Sequence, residues 1–188
     1  MSIPMTKMDT YQVDDIPQLI RTASEEPLAF AKLYDHFSCS VYRYLYSRVG
    51  NQADAEDLTA QTFLTVLEKL PRYREDGNFK AWLFTIARNK VMDHFRRKRP
   101  EVITREINMA VEQNDLLANV IQNEQIQQLS TLIHTLDDDE QELLRLRYMA
   151  DLSFSEMAAL LGKRPDAVKK SLYRLQARLQ SQMEVKNV

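Results

Sequence analysis

The chain has 188 residues and a mass of 22.0 kDa, room for one medium domain or two small ones. Its 25 basic and 27 acidic residues leave a formal charge of −2 and a pI near 6.0, which excludes a protein held on nucleic acid by overall charge. One cysteine, Cys39, excludes an internal disulfide and suits a reducing cytoplasm. No apolar run approaches the roughly 20 residues of a membrane span, and MSIPMTKMDTYQVDD at the start lacks a signal-peptide core. The expectation is a cytoplasmic protein with no membrane insertion.

Only three glycines and six prolines interrupt the chain, and helix-period patterns run through almost all of it. This predicts an all-α protein of two small helical domains joined by a linker. The expected divisions are an N-terminal tail and first turn over 1–23, a first domain over 24–99, an acidic linker over 100–124, a second domain over 125–183 and a short tail over 184–188.

In the first domain, Gly50 and Asn51 end one helical stretch and DAEDLTAQTFLTVLEKL begins the next. There Phe63, Val66, Leu67 and Leu70 share one helical face, while Asp54, Asp57, Gln61, Thr65 and Glu68 share the other. On spacing alone the acidic stripe reads as a solvated face. Pro71 closes that helix, and REDGN forms a loop before Phe79. Phe79, Trp82, Leu83 and Ile86 then face a core along a helix that runs through Asn89 and Asp93. It ends in Arg96, Arg97, Lys98 and Arg99, where Pro100 stops it. Cations at a helix C-terminus are stabilised by the macrodipole.

The stretch PEVITREINMAVEQNDLLANVIQNE has no aromatic residue and sets Glu101, Glu106, Glu112, Asp115 and Glu124 against Arg105 alone. It reads as a solvated linker with one helical stretch, or as an acidic strap for a basic channel on a partner. Beyond it, Leu132, Ile133 and Leu136 face inward, and the acids at 137–140 favour a new helix start. Leu143, Leu144, Leu146 and Tyr148 continue that core. Ser153 and Glu156 have capping-box spacing, Gly162 supplies a tight turn, and Pro165 suits a first helical turn. Val168, Leu172, Leu175 and Leu179 then share one face. Asp166, Lys170, Tyr173 and Ala177 lie opposite, flanked by Lys169 and Arg174. Cap, turn and charge together describe a helix-turn-helix, against the plainer reading of a helical hairpin with a solvated basic face.

His36 and Cys39 have a metal-like spacing, but two ligands do not close a tetrahedral site, and His94 and His134 lie far away. No nucleophile with a base, glycine-rich phosphate loop or acid–base carboxylate pair is evident. Neither an enzyme nor a cofactor or metal protein is expected.

Taken in order, DAEDLTAQTF, FKAWLFTIARNKVMDHFRRKR and LDDDEQELLRLRYMADLSFSEMAALLGKRPDAVKKSLYRLQARL resemble bacterial RNA polymerase sigma factors of the extracytoplasmic-function class. The resemblance spans residues 24–183. It implies a region 2-like domain that binds core polymerase and the minus-ten element, and a region 4-like domain that binds the minus-thirty-five element. Carried onto this sequence, Asp54, Asp57 and Gln61 would contact core polymerase, although Ala60 stands where many relatives have glutamine. Tyr73, Arg74, Asn78, Asn89, Asp93, Arg96 and Arg97 would meet the minus-ten element as single-stranded DNA. Aromatic rings would stack an unstacked base, Asn89 would read its edge, and the arginines would hold phosphates. Arg164, Lys169, Lys170, Ser171, Tyr173 and Arg174 would meet the minus-thirty-five element. Lys163, Ala167 and Ser171 differ from residues frequent in relatives, so promoter preference does not transfer. The implied partners are core RNA polymerase, promoter DNA and an anti-sigma factor. The implied function is promoter recognition, melting and transcription initiation. An autonomous helix-turn-helix regulator is the alternative; it leaves the ordered acidic and basic helices unexplained.

Overall fold

A computed structural model describes residues 16–74, 78–98 and 118–186. Among them run eight α-helices and no strand. They are α1 (Ile16–Thr22), α2 (Pro27–Val49), α3 (Gln52–Lys69), α4 (Phe79–Lys98), α5 (Ala118–His134), α6 (Asp138–Leu144), α7 (Phe154–Leu161) and α8 (Pro165–Lys186). Most of the linker, with Arg99 and Pro100, lies outside the described residues, as does the middle of the REDGN loop.

Local chemistry explains the joints. Gly50 takes φ 72°, a left-handed setting that favours glycine, and its N–H donates to the Tyr46 carbonyl at 2.8 Å to end α2. Asn51 then caps α3, its Oδ1 accepting from the Asp54 N–H at 2.8 Å. The predicted break at Gly50 and Asn51 is therefore a C-cap followed at once by an N-cap, which folds α3 back along α2. A 3₁₀ turn (Leu70–Arg72) containing Pro71 follows α3.

The three long helices enclose Leu33, Phe37, Val41, Tyr44, Leu58, Phe63, Val66, Leu83, Phe84 and Val91. Buried Thr59 and Thr62 donate their hydroxyls to the carbonyls of Ala55 and Leu58, both at 2.7 Å. Each then packs as a small apolar group. The region 1–23, expected to hold a tail and first turn, contains α1, whose Ile16, Leu19 and Ile20 pack on this core. Leu67, placed in the core from its spacing, is instead 43% exposed. Leu70, one turn further on, is buried, so Leu67 alone turns away from the stripe.

In the second domain Asp137 caps α6 by accepting from the Glu140 N–H at 2.8 Å. The capping box at α7 is complete: Ser153 Oγ accepts from the Glu156 N–H at 3.3 Å and Glu156 Oε2 from the Ser153 N–H at 2.7 Å. Gly162 makes the turn to α8 with φ 63°. Val168, Leu172, Leu175 and Leu179 are buried as the spacing predicts, the last two against Leu132 of α5 and Leu136 just after it. Two expectations fail. Ile133 is only half-buried, and Tyr148 is 49% exposed. Tyr148 belongs to a π-helical turn (Arg145–Met149) that α6 leads into, and the wider turn rotates it away from the stripe. Helix α5 begins at Ala118, inside the stretch read as linker.

The two domains pack on each other. α2 lies against the π-helical turn and α4 against α7. One buried cluster runs from Val41, Tyr44 and Leu45 to Leu146, Ala150, Leu152 and Met157.

Candidate nucleic-acid interface

The 3₁₀ turn after α3, the residues that follow it and the start of α4 converge on a cavity of about 340 Å³. Arg72, Tyr73, Arg74, Asn78, Trp82 and Thr85 line it from the first domain, and Ala159 and Leu160 of α7 form the opposite wall. Aromatic packing sets its shape. Phe79 is buried, 5.5 Å from Phe37 between ring centroids, and anchors Tyr73 and Trp82 at 5.5 Å each. Tyr73 and Trp82 are themselves 4.8 Å apart and tilted by 47°. Trp82, read chiefly as core from its spacing, is only half-buried because its indole forms this wall. Asn78 starts α4, its carbonyl accepting from the Trp82 N–H at 3.0 Å. A flat indole, a phenol, an amide and two guanidinium groups around one concavity can stack a base and hold its phosphate.

The other sequence-predicted minus-ten residues lie farther along α4. Asn89 is exposed one turn beyond Thr85 and does not line the cavity. The amide in the cavity is Asn78, directly before α4, while Asn89 lies about three turns farther along that helix. Arg96 pairs with Asp93 at 2.9 Å, and Arg97 is exposed. Arg72 and Thr85, absent from the sequence-based set, line the cavity. Arg72 sits directly before Tyr73, the one signal that could have found it.

On α3 the acidic residues divide. Asp57 is exposed and accepts from Gln61 Nε2 at 2.7 Å. Asp54 is partly buried. It accepts from Asn51 Nδ2 at 2.7 Å and lies 3.3 Å from His94 Nε2. Leu64, 61% exposed, and Leu67 continue the Asp57–Gln61 face as an apolar strip that the sequence reading missed.

Along α8, Lys169, Lys170, Ser171, Tyr173 and Arg174 are all exposed, with Arg164 just before the helix. Lys169 Nζ sits 5.8 Å from the Tyr173 ring centre, and that ring packs on Phe154 at 5.9 Å. The helix is tied to α6 by Arg178, which donates to Glu140 at 2.6 Å. No group of three or more His, Cys, Asp or Glu side chains suited to a metal occurs among the described residues. Nor is any helix among them long and apolar enough to cross a membrane.

Two family models match the chain: Sigma-70 region 2 over residues 33–101 and Sigma-70, region 4 over residues 126–179. The extracytoplasmic-function RNA polymerase sigma factor BldN of Streptomyces coelicolor is 41% identical over 158 residues. That match takes in 82% of this chain and about 60% of the length of BldN. Among solved structures, CnrH in complex with the cytosolic domain of CnrY superposes with a TM-score of 0.65 at 23% identity, over 91% of this chain and 97% of CnrH. The sigma factor RpoE of Bartonella quintana, in complex with the anti-sigma factor NepR, gives 0.64 at 23% identity, over 83% of this chain and 97% of RpoE. An all-helical pair of domains with these two matches, in this order, defines a sigma factor. The chain belongs to the sigma-70 family, in its extracytoplasmic-function class. It is an alternative sigma factor, and the autonomous-regulator reading finds no support among these relatives.

Proposed function

We propose that this chain docks on core RNA polymerase and selects promoters by two separate DNA contacts. The exposed Asp57–Gln61 face of α3, with Leu64 and Leu67 beside it, is the polymerase surface. Charge-assisted contacts flanked by an apolar strip suit a stable protein partner. The Tyr73–Asn78–Trp82 cavity takes an unstacked base of the minus-ten element. The outer face of α8 enters the major groove of the minus-thirty-five element, with Lys170 reading bases and Arg174 holding phosphate. Asn89, Asp93, Arg96 and Arg97 extend the minus-ten surface as a track along the backbone. An anti-sigma factor is the expected restraint, as RpoE has in NepR. The chain acts as a regulatory subunit in the cytoplasm, and catalysis belongs to the polymerase.

The cavity is the observation that carries this reading, because a groove-binding regulator has no use for an aromatic-walled base site. The test is reconstitution with core polymerase on a randomised promoter library. Initiation that depends on this chain and enriches two spaced elements is the expected result. Sequence-specific duplex binding by the chain alone, with no effect on polymerase, would overturn it.

A further inference from the structure

Helix α6 does not end as it began. It widens over Arg145–Met149 into the π-helical turn, where the Ala150 N–H donates five residues back to the Arg145 carbonyl at 3.0 Å. Single turns of this kind occur frequently at functional sites. A wider turn holds more residues per revolution, so neighbouring side chains point in more nearly the same direction. Here two neighbours, Arg147 and Tyr148, both serve the exposed face of α8.

Arg147 begins a column of four side chains. Its Nη1 donates to the Leu152 carbonyl at 2.9 Å, and its guanidinium lies over the Phe154 ring, 5.2 Å from the centre. Phe154, half-buried at the start of α7, meets Tyr173 edge to face at 5.9 Å and 76°. Lys169 Nζ then stands 5.8 Å from the Tyr173 ring centre. Tyr148 gives a second support, its exposed hydroxyl accepting from Gln176 Nε2. Lys169, Tyr173 and Gln176 are spaced by four and three, so they form one stripe along α8. Lys170 and Arg174, on the neighbouring stripe, have no such support among the described residues.

A lysine or glutamine free in solvent loses rotamer freedom when it meets a base pair, and that loss offsets part of the contact. A side chain already held in place loses less, and it also fits fewer wrong sequences. We propose that the π-helical turn is a buttress for promoter reading. Arg147 acting through Phe154, and Tyr148 acting through Gln176, are positioning residues that hold the Lys169–Tyr173–Gln176 stripe in the setting in which it reads the upstream element. The proposal rests on α8 being the helix that enters the groove.

The test is equilibrium binding of holoenzyme to promoters varied one base pair at a time across the minus-thirty-five element, with thermal melting of each variant chain. Phe154→Leu keeps an apolar side chain against the core and removes the ring, whereas Phe154→Tyr keeps the ring. Phe154→Leu should flatten preference by about two- to tenfold at the positions that Tyr173→Ala also flattens. Phe154→Tyr should retain the parent profile. The salt dependence of binding should not change in either, because no phosphate contact is lost. Tyr148→Phe removes only an exposed hydroxyl and should flatten preference about twofold where Gln176→Ala does; it decides the matter should Phe154→Leu fail to fold. Losses spread evenly over the panel would mean that these residues serve packing alone, and would overturn the buttress. So would a parent profile in both Phe154→Leu and Tyr148→Phe while Tyr173→Ala flattens it, and the groove reading would then stand. Should Tyr173→Ala and Lys170→Ala both leave the profile untouched, the groove reading falls and the buttress with it.

Discussion

The cavity before α4 is concave, aromatic and walled on one side by α7, whereas the outer face of α8 is polar and exposed to solvent. The first requires side chains from a helix end, a turn and a second helix to meet around one space. The second requires a single straight helix with its apolar face buried. An unstacked base needs enclosure, because its two faces and its edge must all be satisfied after leaving the duplex. A base pair in the major groove offers only an edge, which side chains projecting from one helix can reach. The difference between the surfaces thus follows from the state of the DNA that each is proposed to meet.

The largest effects should separate these surfaces. Trp82→Ala removes a cavity wall, and the loss of stacking is worth roughly 1–3 kcal/mol in binding a single-stranded minus-ten oligonucleotide. Holoenzyme carrying it should open duplex promoter slowly yet keep its preference among upstream sequences. Lys170→Ala should do the reverse, altering upstream preference by about 1–3 kcal/mol at one position and leaving oligonucleotide binding alone. Arg174→Ala should weaken all upstream sequences alike. Measured side by side on a promoter panel and on the oligonucleotide, identical profiles for Trp82→Ala and Lys170→Ala would erase the distinction.

A smaller contrast lies within the first surface. Asn78→Ala takes away the amide that lines the cavity and should cost about 0.5–1.5 kcal/mol of oligonucleotide affinity. Asn89→Ala, one turn outside the cavity, should change that affinity less than twofold. Equilibrium titration of both variants in holoenzyme checks the order; a larger effect at Asn89 would move the base site along α4.

The smallest stability effects concern α3. Asp57→Lys should leave thermal stability within about 0.5 kcal/mol of the parent while weakening core polymerase binding. Asp54→Lys should cost about 1 kcal/mol of stability, since it reverses a favourable helix N-terminal charge and removes the partner of Asn51 and His94. Paired melting and polymerase-binding measurements distinguish the two. Equal destabilisation would mean that Asp57 also serves the fold.

Much of this architecture was legible in the residues because the interactions that create it are short-range. Asn51 caps α3 from three positions before Asp54, Ser153 and Glu156 close their box within one turn, and Gly50 and Gly162 adopt the left-handed settings that helix ends favour. The apolar face of α8 likewise depends only on spacing within a helix. Motif order along the chain was enough to assign the family, which the two matching models then established.

Tertiary structure alone decided the rest. Glu142 reads in sequence as one more acid near a helix start, yet Tyr44, 98 positions away, closes over it. Trp82 and Asn78 become a cavity wall, and Asn89 does not, because Ala159 and Leu160 of α7 face only the start of α4. Leu67 and Tyr148 carry core spacing but end largely in solvent, Tyr148 because it follows a π-helical turn. Periodicity within a helix specifies which residues share a face. Which face meets which neighbour, and where that neighbour ends, depends on how separate helices dock.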